Sequence, residues 1–138
     1  MNFRRLALAA VVAWIVSMVI GYVVNEILLK DVYAQFASIM RSQADMNLPL
    51  GFAASLLGFF AFTYAYAKGY EGGSGMVEGM RFGVLVGILL ICFAVVWQYV
   101  VYPVSGQLLV YWIIDTIVEF AIYGMIVGYV YKSPPRRV

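Results

Sequence analysis

Polar residues in this chain are confined to short stretches between long apolar runs. A helix needs about 20 apolar residues to cross the hydrocarbon core of a bilayer. Four runs reach that length, at residues 6–29, 48–67, 82–102 and 108–131. The runs are continuous rather than alternating, which favours helices over the strands of a membrane barrel. The pattern therefore predicts four membrane-spanning helices, which we number spans 1 to 4.

The composition points to the same class of protein. The chain is 64% hydrophobic and only 12% charged, whereas a soluble domain is about half apolar and about a quarter charged. We expect an all-α membrane protein with a single domain, residues 1–138, whose four helices form an antiparallel bundle. The first run follows Arg4 and Arg5 as in a signal peptide, but it is longer than the apolar core of a signal peptide and lacks a clean small-x-small cleavage site, so we interpret it as a retained span.

Basic residues predict the orientation of the spans, because lysine and arginine concentrate in cytoplasmic loops. One side holds seven of them, namely Arg4, Arg5, Lys68, Arg81, Lys132, Arg136 and Arg137. The other side holds only Lys30 and Arg41. We therefore expect a multi-pass protein of the cell membrane with both termini in the cytoplasm.

The longest stretch outside the spans is 30–47, on the predicted outer side. Its apolar residues recur at helical spacing, at Val32, Phe36, Ile39 and Met40, with charged and polar residues between them. This pattern is typical of an amphipathic helix that lies on the membrane interface or folds over the helices. Such a helix is either a plain connector or a lid over a binding site.

The residue inventory excludes several kinds of chemistry. The chain has no histidine and one cysteine, Cys92, so the commonest metal ligands and general bases are missing and we predict no metal site. The net charge of +2 lacks the basic stripe of a nucleic-acid-binding protein. No catalytic motif is present, so we expect a protein that is not an enzyme, and the sequence indicates no particular cofactor.

Asp115 and Glu119 are the most informative polar residues of the chain, because both are acidic and both lie inside span 4. A charge near the bilayer centre costs at least about 2.5–3.5 kcal/mol, and such residues are usually functional. No lysine or arginine lies within any predicted span. The two acids are then either part of a proton- or cation-linked binding site or members of a buried hydrogen-bond network that fixes helix register.

Other polar residues are expected to gather at the same depth, in the outer half of the bundle. We predict an outward-facing polar pocket whose ligand- or proton-binding residues are Asp115, Glu119, Gln98, Asn25, Glu26, Trp112 and Tyr123. The inner half is almost purely apolar, apart from Thr63 and Tyr123, so the pocket is expected to be sealed on that side.

Small residues predict where the helices meet, because close packing holds helices together in lipid. We expect helix contacts at Gly21 in span 1, Gly58 in span 2, Gly79, Gly83 and Gly87 in span 3, and Gly124 and Gly128 in span 4. In span 4 this glycine face lies opposite the acidic face. The bundle can bury one of these two faces, and the other either packs inside the monomer as well or meets a second copy or another subunit.

Two functions remain after these exclusions. The first is a binding or accessory subunit in the membrane, acting within a homo-oligomer or a larger complex. The alternative is a small proton- or cation-coupled transporter or channel that works as a homodimer. In both, the lipid bilayer is the immediate partner and nucleic acid is not.

Overall fold

The structure, a computed structural model, describes residues 1–131. These residues form helices and turns and contain no strand. Residues 132–138, which hold Lys132, Arg136 and Arg137 of the predicted cytoplasmic side, lie outside the described residues. The helices are Phe3–Tyr22, Lys30–Ala34, Leu48–Gly69, Gly75–Leu90, Val96–Val101 and Gly106–Tyr131, with π-helical turns at Val23–Leu28 and Ile91–Val95 and a 3-10 turn at Gln43–Asp45.

The prediction of four apolar spans is confirmed. Helical segments long and apolar enough to cross a membrane run over Phe3–Leu28, Leu48–Gly69, Gly75–Val101 and Gly106–Tyr131. Span 3 begins at Gly75 rather than at residue 82, because the glycine-rich segment before Arg81 continues as helix and packs against span 4. Spans 1 and 2 begin at side-chain caps, where Asn2 accepts from the Arg5 amide at 3.1 Å and Asn47 from the Leu50 amide at 3.2 Å.

The linker 30–47 contains much less helix than its amphipathic pattern predicts. Only Lys30–Ala34 is α-helical, and we name this segment the linker helix. The chain then continues in single turns, in which several backbone amides donate to the carbonyl three residues earlier, as Phe36 N does to Tyr33 O at 2.9 Å. A helix this short is marginal without tertiary support, and residues 37–47 are exposed.

Spans 3 and 4 pack so closely that their backbones touch. A Cβ atom added at Gly79 would clash with the Gly124 carbonyl, and one added at Gly124 would clash with the Gly79 carbonyl. Gly75 meets Gly128 in the same way. The residue numbers rise in one span as they fall in the other, so these two spans run in opposite directions. The glycine face of span 4 is therefore covered by span 3.

Two other predicted contact residues lie where the helices part. A Cβ atom built at Gly21 or Gly58 meets no atom within 4 Å. Both glycines stand beside cavities between neighbouring helices, Gly21 between spans 1 and 2 and Gly58 between spans 2 and 3.

The tightest packing lies at the end of the molecule that carries the N-terminus, which we call the termini end. Alanines and a leucine of span 1 pack there against rings of spans 2 and 4, in a cluster of Leu6, Ala9, Ala10, Ala13, Phe59, Phe62, Tyr66, Tyr123, Val127 and Tyr131. Tyr66 also donates its hydroxyl proton to the Gly75 carbonyl at 2.9 Å, which links span 2 to the start of span 3.

The loop between spans 2 and 3 is held by one carboxylate. Glu78 accepts from the backbone amides of Gly73 at 2.6 Å and Glu71 at 3.2 Å. Gly72 has φ of 98°, a conformation that side chains with a Cβ rarely adopt. The glycine-rich loop is thereby folded onto the first turn of span 3.

The opposite end, which carries the linker and which we call the linker end, is more open. Residues of span 1 and span 2 that face each other near the termini end are buried, but towards the linker end they become half-buried or exposed, as at Met18, Asn25, Gly51 and Phe52. The two helices therefore separate towards the linker end and leave a groove between them.

A leucine at the span 3–4 contact should destabilise the protein. Gly124→Leu is expected to lower the free energy of unfolding by about 1–3 kcal/mol or more. The added side chain would meet the backbone of Gly79, which cannot move aside as a flexible side chain can. Gly58→Leu is the matched control, since open space surrounds that position. Circular dichroism during thermal unfolding in detergent measures the midpoint of each variant. Equal midpoints for the two variants would contradict the close contact.

Candidate functional site

A groove of about 730 Å³ opens between spans 1 and 2 at the linker end. We call it the span 1–2 groove. Its volume lies within the range of about 300–1,000 Å³ that is usual for small-molecule sites. The residues that line it are Ser17, Met18, Gly21, Tyr22, Asn25, Glu26, Arg41, Met46, Asn47, Leu48, Gly51, Phe52 and Ser55.

Charged and amide side chains stand at the mouth of this groove. Asn25 and Glu26 come from the π-helical turn that ends span 1. The Asn25 side-chain amide donates to the Gly21 carbonyl at 2.8 Å, and such a bond competes with the regular helical ladder and favours a widened turn. Arg41 and Asn47 come from the linker. The mouth therefore carries one acid and one base.

The deeper part of the groove offers little unused polarity. Trp14 of span 1 donates its indole N–H to the Ser55 hydroxyl at 2.9 Å, and Ser55 donates to the Phe52 carbonyl at 3.0 Å. Ser17 donates to the Trp14 carbonyl at 2.7 Å. The serines are thus partnered within the helices, and the surface between them is formed by apolar side chains such as Met18 and Phe52.

A second groove, of about 360 Å³, lies under the linker against the ends of spans 3 and 4. Gln98 and Trp112 line it, together with Phe36, Ile39, Met40, Arg41, Met46, Tyr102, Val104 and Leu108. Arg41 and Met46 line both grooves, so the linker forms the wall between them. Movement of the linker would change both grooves together.

Asp115 and Glu119 form a separate acidic face on span 4. The side chains are half-buried, one helical turn apart, and line neither groove at the linker end. The Glu119 carboxylate is hydrogen-bonded by Tyr123, whose ring packs edge-on against Phe59 with centroids 5.1 Å apart. Among residues 1–131 no lysine or arginine pairs with either acid.

The linker covers one end of this acidic face. Tyr33 of the linker helix accepts a hydrogen bond from the indole N–H of Trp112 at 2.8 Å. Burial raises the pKa of Tyr33 above its usual value, the Trp112 bond opposes this, and the negative charge of Asp115 adds to the rise. The Tyr33 hydroxyl therefore stays protonated and neutral beside Asp115 at neutral pH.

The structure distributes the predicted pocket residues over three places. Asn25 and Glu26 lie at the mouth of the span 1–2 groove, and Gln98 and Trp112 lie in the second groove. Asp115, Glu119 and Tyr123 share the acidic face of span 4. The sequence places most of them in the outer half of the bundle, but depth does not determine which side of a helix meets which neighbour.

Sequence reasoning passed over several residues that shape these sites. Tyr33 is one of them, although an aromatic residue next to Val32 in an amphipathic segment is a usable signal. Trp14 and Ser55 bridge spans 1 and 2, and neither was assigned a partner. The π-helical turn has a weaker signal, namely an asparagine near the end of an apolar run.

No group of three or more potential ligands among residues 1–131 is placed to hold a metal ion. Comparison of the chain with protein-family models, with curated proteins and with solved structures finds no match. The site must therefore be interpreted from its own geometry.

Removal of the Tyr33 hydroxyl should loosen the linker. In Tyr33→Phe the Trp112 indole loses its acceptor, so amide hydrogen exchange in residues 30–45 is expected to rise while exchange in the spans stays unchanged. Tyr22→Phe is the control, since Tyr22 is 63% exposed at the same end of the molecule. Hydrogen–deuterium exchange with mass spectrometry measures the amide exchange of both variants. Unchanged exchange in Tyr33→Phe would show that the bond does not hold the linker.

Proposed function

We propose that this chain is a non-enzymatic, multi-pass membrane protein that binds an amphiphilic molecule in the span 1–2 groove, acting as a binding or accessory subunit. The observation that carries the proposal is the division of the groove into a charged mouth and an apolar interior. A ligand with a polar head and an apolar body matches that division, because its head replaces water at Glu26 and Arg41 while its body covers Met18 and Phe52.

The four spans are proposed to form an antiparallel bundle in the cell membrane with both termini in the cytoplasm. The opposite directions of spans 3 and 4 support this, and so does the excess of lysine and arginine on the side that carries the termini. In this orientation the linker end faces outwards, and the groove opens towards the outer leaflet. Lipid molecules of that leaflet would reach it without crossing the bilayer.

The protein is proposed to act as a homo-oligomer or within a larger membrane complex. Gly124 and Gly128 pack against span 3, so a partner would contact another lipid-facing surface. Span 2 offers one, since Leu57 is 71% exposed and Gly58 has open space around it. Small residues on such a surface allow close approach of a second helix.

Filling the groove should remove the bound amphiphile. Gly51→Leu places a branched side chain in the span 1–2 groove, at a position where an added Cβ atom meets nothing within 4 Å. We expect less phospholipid to remain with the purified variant than with the unmodified protein, measured by mass spectrometry of extracted lipid. Gly58→Leu, on the same helix but beside another cavity, should retain the normal amount. Equal retention in both variants would contradict binding in this groove.

A proton- or cation-coupled transporter is the second candidate function. The observation in its favour is the acidic face of span 4, where Asp115 and Glu119 lie inside a span without a basic partner among the described residues. Such carboxyl groups exchange protons in many transporters. The tight packing at the termini end argues against it, because side chains such as Val127 and Tyr131 are buried there and close that end within residues 1–131.

Proton flux into vesicles separates the two functions. With the protein reconstituted in liposomes that contain a pH-sensitive dye, the binding proposal predicts the same flux for unmodified protein, Asp115→Asn and the control Asp31→Asn, all equal to that of empty vesicles. Flux that disappears only in Asp115→Asn would favour the transporter.

A further inference from the structure

Two opposite charges stand at the mouth of the span 1–2 groove without neutralising each other. Glu26 and Arg41 both line the groove and both are exposed. Glu26 accepts one long hydrogen bond, from Gln43 at 3.4 Å, and Arg41 forms no ion pair with residues 1–131. Both side chains thus keep hydrogen-bonding capacity for a ligand.

The two charges restrict the head group that fits. A purely anionic head would be attracted by Arg41 but repelled by Glu26. A purely cationic head would be attracted by Glu26 but repelled by Arg41. A head group that carries a phosphate and a cation presents one partner to each residue. Arginine donates from a planar fork that suits phosphate oxygens.

The cationic half of the head group is further restricted by what surrounds Glu26. The Asn25 side chain donates one amide N–H to the Gly21 carbonyl, which leaves its oxygen as an acceptor in the same groove that Glu26 lines. A primary ammonium has three N–H donors for such acceptors. A quaternary ammonium has none and prefers a cage of aromatic rings, whereas among residues 1–131 only Tyr22 and Phe52 line this groove with aromatic rings.

We propose that the span 1–2 groove selects a zwitterionic phospholipid whose cationic group is a primary ammonium, with the phosphate at Arg41 and the ammonium at Glu26 and Asn25. The acyl chains follow the apolar interior past Met18 and Phe52 and continue into the bilayer, since the groove is open rather than enclosed. This inference rests on the proposed function, because it names the head group of the amphiphile.

Native mass spectrometry of the full chain tests the head-group preference directly. The protein is released from mixed vesicles that contain equal amounts of phosphatidylethanolamine, phosphatidylcholine and phosphatidylglycerol with identical acyl chains. We expect the phosphatidylethanolamine adduct to exceed each of the others by about twofold to fivefold, the effect expected from one additional exposed charge pair.

Matched variants assign the preference to the two residues. Glu26→Gln should bring phosphatidylethanolamine down to the level of phosphatidylglycerol, because the ammonium loses its charged partner. Arg41→Gln should weaken all three adducts alike, because every head group contains the phosphate. Asp31→Asn and Lys30→Gln remove linker charges that do not line the groove and should leave the preference unchanged.

The outcomes also distinguish this inference from the function on which it rests. Equal adducts of all three lipids, sensitive to Gly51→Leu, would overturn the head-group selection and leave amphiphile binding standing. Equal adducts of phosphatidylethanolamine and phosphatidylcholine would overturn the role of the primary ammonium. The absence of any lipid adduct that Gly51→Leu reduces would overturn both.

Discussion

The contact between the backbones of spans 3 and 4 is the constraint on which the rest of the fold depends. In lipid there is no hydrophobic driving force for helices to associate, so close packing and a few hydrogen bonds must hold them together. Glycines at Gly75, Gly79, Gly124 and Gly128 supply that packing. Span 4 fixed in this way presents Tyr123 and Val127 to span 1 and span 2, and the cluster at the termini end forms around them.

The openness of the linker end follows from where this packing stops. Spans 1 and 2 meet through alanines and rings near the termini end and through the Trp14–Ser55 hydrogen bond further along. Beyond that bond no small-residue contact draws them together, since Gly21 and Gly51 have open space around them. The groove is thus the consequence of packing at one end only, and the linker supplies the charged wall at its mouth.

The sequence was sufficient to predict the spans, because a continuous apolar run of about 20 residues has few other interpretations. The glycine spacing of spans 3 and 4 also predicted which faces come close, although it left open whether span 3 or a second copy covers Gly124. The assembly of the site was harder to predict. Asn25, Gln98 and Asp115 have similar depths, but the direction in which each side chain points depends on the rotation of its helix and on π-helical turns that the apolar pattern does not reveal.

Photo-crosslinking tests directly whether an amphiphile occupies the span 1–2 groove. A phospholipid with a diazirine on its acyl chain is incorporated into membranes that contain the full chain, and crosslinked peptides are identified by mass spectrometry. We expect crosslinks concentrated at Met18, Gly21, Gly51 and Phe52. Crosslinks spread evenly over lipid-facing residues such as Leu57, Leu85 and Val118, which are exposed and line none of the described grooves, would contradict this expectation.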